Sequence, residues 1–399
     1  MGRKVRLGII GTGARGFSMM RDVFTQHEDV EIAAVYDPFV DRMEKAADYL
    51  VEQGRPRPVL AESFEQLITM EDVEAVYIAS SWDTHIPYSI AAMEAGKIVG
   101  CEVAGAYSVR DCWRLVETYE KTGTPIMLFE NCCYGRKEMM VKNMVKQGVF
   151  GRIVHCEGGY CHDLRQELAE SRPRAHYRLD EYLKRNGENY PTHELGPIAQ
   201  VLGINRGNRM LTLCSVSSCA HGLHEYIQEH IDDEELKNAQ VNQGDVVNTI
   251  IKCANGETIL MTLDTTLPRY YCRNFTVQGT KGMYREDNNS IFFDIPEHLE
   301  KHVQWHENWD NALKYREQYD DPVWAQYEKD GIKRGHGGMD WLEVVDFIDC
   351  IQNAKPMPID VYDMASWMCI TSLSEESIAQ GGHPVAIPDF TGGKWVTRK

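Results

Sequence analysis

The hydrophobic pattern begins at once, with Val5-Arg6-Leu7-Gly8-Ile9-Ile10 running into the turn Gly11-Thr12-Gly13-Ala14-Arg15-Gly16. A short apolar run bounded by glycines predicts a buried strand, and the periodic stretch after the turn predicts a helix. The same rhythm continues with a strand Ile32–Tyr36 ending at Asp37, a strand Ala75–Ser80, a helix closing at Gly96 and a short strand Lys97–Cys101. Ser108 and Asp111 form a capping box for a helix that stops at Gly123, and Ile126–Phe129 is the next strand. Strands alternating with helices predict a parallel, doubly wound sheet. Beyond about residue 130 the pattern changes. Alternating or apolar stretches at 152–158, 211–217, 246–254, 257–264 and 274–279 come mostly without long helices between them, and Asn255-Gly256 is a strong hairpin signal. An antiparallel sheet is expected there. Near the end, Asp340 is expected to cap a helix with Trp341, Val344, Val345, Ile348 and Ile351 on one face, and Val361 to Ala379 reads as another helix.

Length turns this pattern into two domains. A chain of 399 residues exceeds one ordinary core, so residues 1–130 are read as a Rossmann domain and residues 131–399 as an α+β domain with a mainly antiparallel open sheet. Hydrophobic residues at 43% with 26% charged describe a globular chain, and no apolar run reaches the length of a membrane span. The formal net charge of −18 argues against nucleic acid or anionic lipid as partner and favours a small molecule. The twelve cysteines are scattered, with no C-x-x-C pair, which fits reduced thiols. No charged-then-apolar leader precedes the first strand, so a cytoplasmic location is expected.

Chemistry enters through the glycine turn. It follows a strand, opens a helix and is followed about 20 residues later by an acid at the end of the next strand, the context that makes such a turn a dinucleotide fingerprint. Glycines let the backbone approach a pyrophosphate at a helix N-terminus, and Asp37 can accept bonds from a ribose diol while repelling the 2′-phosphate of NADP. The expected cofactor is NAD. Asp37, the segment Trp82-Asp83-Thr84-His85, Glu102 and Glu130-Asn131 follow four successive strands and are expected to converge on it. His221, His224 and His230 lack the H-E-x-x-H spacing and read as surface residues, no carboxylate pair stands out as a two-acid glycosidase site, and no metal is assigned.

The glycine turn, the strand ending in Asp37, the Trp82–His85 segment and the Cys101-Glu102 step resemble the glucose-fructose oxidoreductase/inositol dehydrogenase superfamily. Its ordinary dehydrogenases carry a lysine where this chain has Val103, so a standard sugar dehydrogenase is disfavoured. Within that superfamily the chain resembles the NAD-dependent glycosidases of glycoside hydrolase family 109. The resemblance rests on Glu102-Val103, Phe129-Glu130-Asn131-Cys132-Cys133-Tyr134, Glu157 to Arg165, Tyr190-Pro191-Thr192-His193, Gln278 to Gly282, Gly335-His336-Gly337-Gly338-Met339-Asp340 and Ile387 to Thr391. It implies hydrolysis of N-acetylgalactosaminides or related hexosides through transient oxidation at C3, loss of the C2 proton, expulsion of the C1 group, water addition and re-reduction, outside the two-carboxylate scheme.

The resemblance places Tyr160 as the base at C2 and His193 in proton exchange with the C3 hydroxyl. Arg178, Tyr190, Pro191, Thr192 and Tyr271 match positions that hold the sugar. Gly11, Gly13, Ala14, Arg15, Gly16, Asp37, Trp82, His85, Glu102, Val103 and Asn131 match the cofactor side. A tyrosine near pKa 10 needs a positive neighbour to act as a base. Relatives usually carry glycine where this chain has Glu194, which is expected beside the sugar pocket. His336, between glycines, is a weaker candidate that also reads as a hinge. Homo-oligomers are usual in the superfamily and are expected. The competing reading is a sugar oxidoreductase that forms or consumes free 3-keto sugars, with a silent sugar-binding protein as a third.

Overall fold

A computed structural model of the chain describes residues 3–172, 176–300 and 302–398. The chain forms two compact units, one of Met1–Tyr134 with Gln326–Ala365 and the other of Gly135–Ala325 with Ser366–Lys399.

The first unit is built on six strands: β1 (Val5–Ile10), β2 (Val30–Tyr36), β3 (Val59–Leu60), β4 (Ala75–Ile78), β5 (Ile98–Glu102) and β6 (Ile126–Phe129). They lie in the order β3-β2-β1-β4-β5-β6, all parallel, as the alternation of strands and helices requires. Both faces of such a sheet are covered, which is why its strands read as continuous apolar runs: Leu7, Ile9, Val35, Ile78, Val99 and Leu128 are fully buried. Helices α1 (Ala14–Asp22), α2 (Val40–Glu52), α3 (Phe64–Thr69), α4 (Trp82–Glu94) and α5 (Val109–Thr122) complete the alternation. Helix α5 starts and stops as expected. The Ser108 hydroxyl accepts the Asp111 N–H at 3.1 Å, and Gly123 closes the helix in the left-handed region.

Asp340 departs from its expected role. The N-cap of the helix Met339–Asn353 is Gly338, without a side-chain cap, and Asp340 lies inside the first turn. Gly335, Gly337 and Gly338 all have positive φ. That looping entry carries the Asp340 carboxylate inward to side-chain donors instead of to its own helix terminus.

The second unit holds an eight-stranded sheet of β7 (Ile153–Cys161), β8 (Met210–Ser217), β9 (Val246–Cys253), β10 (Thr258–Asp264), β11 (Thr276–Gly279), β12 (Gly282–Arg285), β13 (Ser290–Phe293) and β14 (Val385–Ala386). Its order is β13-β12-β11-β7-β10-β9-β8-β14. Every pairing is antiparallel except β7 with β10. The β9–β10 hairpin turns at Asn255-Gly256, where Gly256 takes φ 107°. Along β9, Val247, Thr249, Ile251 and Cys253 are buried while Ile250 is 56% exposed, the alternation of a sheet covered on one face. Helix α6 (Pro191–Leu202) covers that sheet and buries Leu195, Ile198, Ala199 and Leu202. A side chain at Gly158 would stand 2.7 Å from the Glu194 carbonyl and 3.0 Å from Ile198 Cδ1, so only glycine lets α6 approach β7 this closely. Truncating Ile198 to alanine at such a contact costs about 2–5 kcal/mol. Among the described residues no helix is long and apolar enough to cross a membrane.

Candidate active site

In the first unit the three glycines of the turn answer to different demands. A Cβ on Gly11, at φ +89°, would lie 2.6 Å from the Ala79 carbonyl, and one on Gly16 would lie 1.9 Å from the Gly11 carbonyl. Both are required by the fold itself. A Cβ on Gly13 would meet only Arg42 Nη1, at 3.6 Å, so the space above it is open. Gly13 is also the N-cap of α1 and supplies no side-chain cap, which leaves first-turn N–H groups to an incoming anion. The turn fits a dinucleotide pyrophosphate. Asp37, 4% exposed, accepts the N–H of Thr12 at 2.8 Å and of Phe39 at 3.0 Å, an anchored carboxylate with lone pairs left for a diol. Arg42 Nη1 stands 3.9 Å from it.

Arg15, Glu102 and Asn131 are brought together, but around Asp340. Arg15 donates from Nε to Glu102 Oε1 (2.7 Å) and from Nη1 and Nη2 to the two Asp340 oxygens (2.9 and 3.2 Å). Asn131 Nδ2 donates to Asp340 Oδ1 at 2.7 Å, and His336 Nδ1 lies 2.8 Å from Oδ2. The Tyr77 hydroxyl donates to Glu102. Burial alone would raise the Asp340 carboxyl, but the bond from His336 and the charge and bonds of Arg15 outweigh it and hold the group well below the usual carboxylate range. Glu343, one turn further on, is fully buried with neither carboxyl oxygen bonded. Burial first, then the charges of Glu102 and Asp340, push its pKa well upward, which favours the neutral acid.

Trp82 and His85 belong to the first turn of α4, buried at 6 and 1% exposure. His85 Nε2 is 3.1 Å from the Ser80 carbonyl, and burial pushes its pKa down, which favours the neutral ring. Val103 is buried behind Glu102, whose Oε2 accepts the Val103 N–H at 3.3 Å.

In the second unit the expected sugar residues form one aromatic cluster. Tyr160 is the penultimate residue of β7, Tyr190 is the N-cap of α6 and His193 lies in that helix's first turn. Pro191 at N1 pre-sets the helical entry that fixes their spacing. The rings of Tyr160 and Tyr190 stack at 4.4 Å, and His193 meets them edge-on at 5.7 and 4.8 Å. Arg178 places its guanidinium 5.5 Å from the Tyr190 ring and donates to Glu167 at 2.9 Å. Burial works against the Arg178 charge, but Tyr160, Glu167, Tyr177 and Tyr190 more than offset it, so the guanidinium stays charged. Thr192 is fully buried, with its hydroxyl unbonded.

Tyr271, half exposed, joins the cluster through His162, whose ring is 5.2 Å from Tyr271 and whose Nδ1 is 3.5 Å from the Tyr160 hydroxyl. His162 was not among the expected residues. It lies two positions beyond Tyr160, and the period of two in a strand would have placed both on one face. Of the three histidines expected at the surface, His221 and His230 are exposed and His224 is half-buried.

Comparison with known proteins matches the two parts of the chain to two different families. Residues 134–397 match the family described as glycosyl hydrolase 109, C-terminal domain, and residues 5–129 match the oxidoreductase family with an NAD-binding Rossmann fold. A glycosyl hydrolase family 109 protein of Stenotrophomonas maltophilia is 39% identical, covering 100% of this chain and 91% of the relative. An alpha-N-acetylgalactosaminidase of Tannerella forsythia is 38% identical over 99% of this chain and 88% of its own length. Among solved structures, an NAD binding oxidoreductase from Klebsiella pneumoniae superposes with a TM-score of 0.72 at 14% identity, covering 96% of this chain and 99% of that one. A levoglucosan dehydrogenase in complex with NADH and levoglucosan superposes at 0.69 with 18% identity, covering 97% and 100%. At these identities the structural likeness speaks for the fold.

Proposed function

Because the chain belongs to glycosyl hydrolase family 109, we propose that it is an NAD-dependent glycosidase acting on N-acetylgalactosaminides or related hexosides. The observation that carries this reading is the cluster of Tyr160, Tyr190 and His193 beside a charged Arg178 whose side chain is only partly exposed. Bound NAD would supply reversible hydride chemistry at the sugar C3, held by the open face of Gly13 and by Asp37.

The chain's own residues handle protons and orientation. Tyr160 takes the C2 proton, with the charged Arg178 guanidinium as its neighbour. His193 exchanges a proton with the C3 hydroxyl, since imidazole both gives and takes protons near neutrality. Tyr190 offers an aromatic face to the sugar, while Arg178, Thr192 and Tyr271 offer donors that fix its register. Water excluded by the buried tyrosines, at 8 and 9% exposure, strengthens each of these contacts.

The C2 proton must leave and return on this route. Hydrolysis of an aryl α-N-acetylgalactosaminide in D₂O, with no NAD consumed, should therefore place deuterium at C2 of the released sugar, and tyrosine-to-phenylalanine exchange at 160 should slow that incorporation by roughly 10²–10⁴. Hydrolysis that keeps ordinary hydrogen at C2, with no slowing of a C2-deuterated substrate, would defeat the proposal. Accumulation of NADH and a free 3-keto sugar would instead mark an oxidoreductase.

A further inference from the structure

Glu188 and Glu194 flank the segment that carries Tyr190 and His193, and both are buried, at 0 and 1% exposure. Glu188 is firmly placed. Its N–H donates to Ser374 Oγ at 2.8 Å, its carbonyl accepts from Thr371 Oγ1 at 2.6 Å, and its Oε1 accepts the Tyr190 N–H at 3.3 Å. Its second carboxyl oxygen and both oxygens of Glu194 have no hydrogen-bond donor among the described residues.

The two carboxyls lie within reach of each other, and no cation pairs with either among the described residues. The titratable groups that face them are Cys161 at the end of β7 and Tyr182 on the helix Arg178–Lys184, and burial pushes both of these upward, so neither supplies charge. The backbone amides of Tyr160 and Thr262 face Glu194 without completing a hydrogen bond of normal geometry.

Two adjacent carboxylates cannot both hold charge in such surroundings, because burial penalises each one and each repels the other. A proton between them removes the repulsion and gives the orphaned oxygens a partner. We propose that Glu194 is a positioning residue: its protonated carboxyl donates to Glu188, and this acid pair braces the turn that presents Tyr190 and His193. Glu188 then accepts on both oxygens, from the Tyr190 N–H on one side and from Glu194 on the other. The brace ties the first turn of α6 to the residue that sets the Tyr190 backbone. Its bearing on sugar chemistry rests on the reading of Tyr190 and His193 given above.

The test compares wild type with Glu194→Gln, which keeps the donor and nearly the volume, and Glu194→Ala, which removes both. Carboxyls raised in the folded state stabilise it below their unfolded pKa, and that stability drains away as the pH rises toward the folded values. The wild-type melting temperature should therefore fall from pH 5 to pH 8, and Glu194→Gln, with one such carboxyl fewer, should fall by less, while the buried Glu138 and Glu343 contribute equally to both proteins. The His193 ring resonance, assigned by its loss in His193→Ala, should move in Glu194→Ala and return in Glu194→Gln.

With p-nitrophenyl α-N-acetylgalactosaminide, kcat/KM should drop about tenfold in Glu194→Ala, the scale of about 1.4 kcal/mol, and recover to within about threefold in Glu194→Gln. Melting curves that respond equally to pH in wild type and Glu194→Gln, or a His193 signal that Glu194→Gln fails to restore, would overturn the brace. A wild type that releases no p-nitrophenol would refute the glycosidase reading alone, because the melting and resonance comparisons use no substrate.

Discussion

Replacing Asp340 with asparagine should destabilise the first unit by about 3 kcal/mol, the lower end of the range for breaking a buried ion pair on one side. The carboxylate is 2% exposed and takes two bonds from Arg15, one from Asn131 and one from His336. An amide fills the same volume but turns an NH₂ toward donors and leaves Arg15 with Glu102 as its remaining acidic partner in this group. That surviving pair, and a side-chain exposure of 26% at Arg15, keep the loss below the upper limit of about 5 kcal/mol. For a unit of this size each kcal/mol moves the melting temperature by about 2–4 °C, so a drop of about 6–12 °C is expected at pH 7. The folded Asp340 carboxyl lies below its unfolded value, so its contribution is fully present above pH ~4 and is lost as the pH falls toward the folded value. Circular dichroism melts of the two proteins should therefore differ steadily from pH 5 to pH 8 and converge on further acidification. A drop under about 2 °C at pH 7, or a gap that widens in acid, would refute this account of the cluster.

The glycines of the turn should separate by role. Gly16→Ala, which drives a Cβ to 1.9 Å from the Gly11 carbonyl, should cost about 1–3 kcal/mol in thermal melts, whereas Gly13→Ala should melt like wild type and show its loss as weaker NAD binding in titration calorimetry. Asp37→Ala should weaken NAD by about 10–100-fold, from a charged hydrogen bond worth about 1.5–3 kcal/mol, and should improve NADP binding because Arg42, 3.9 Å away, then meets the 2′-phosphate without a competing acid. An unchanged NAD to NADP ratio in that variant would remove Asp37 from the ribose.

Much of the fold was legible because local signals were strong. β1 and β6 begin and end where the apolar runs do, Ser108 and Gly123 bracket α5, the Asn255-Gly256 turn makes its hairpin, and Val361–Ala379 is a helix. Pairing between distant segments left no such trace. Nothing in β7 or β10 announces that they run parallel, because a strand's alternation fixes its faces and not its neighbour's direction. The short β12, β13 and β14 carry too few residues for a period to show.

The site divides in the same way. Glycine spacing and Asp37 could be read from their βαβ context, whereas Tyr160, Tyr190, His193, Arg178 and Tyr271 came through family likeness. Isolated aromatic residues look like packing until a fold assembles them. Acidic residues were the hardest to place: Asp340 looked like a helix cap but lies inside the first turn, and Glu188 and Glu343, which carry no local signal of burial, are buried together with Glu194.

The bond between Arg15 and Asp340 joins positions 325 apart in the chain, and everything from Gly135 to Ala325 belongs to the other unit. On a ribosome adding about 5–20 residues per second, Arg15 emerges early and waits roughly 15–65 s for its partner to be made. Until then Glu102 is its only acidic counterpart in that group, and the strands of the nucleotide fold stand without the helix Met339–Asn353 that belongs to their unit. Translation order thus keeps the half of the protein that is started first incomplete until most of the other half has been made, and a nascent chain interrupted before residue 340 would carry a six-stranded sheet with an unsealed charge.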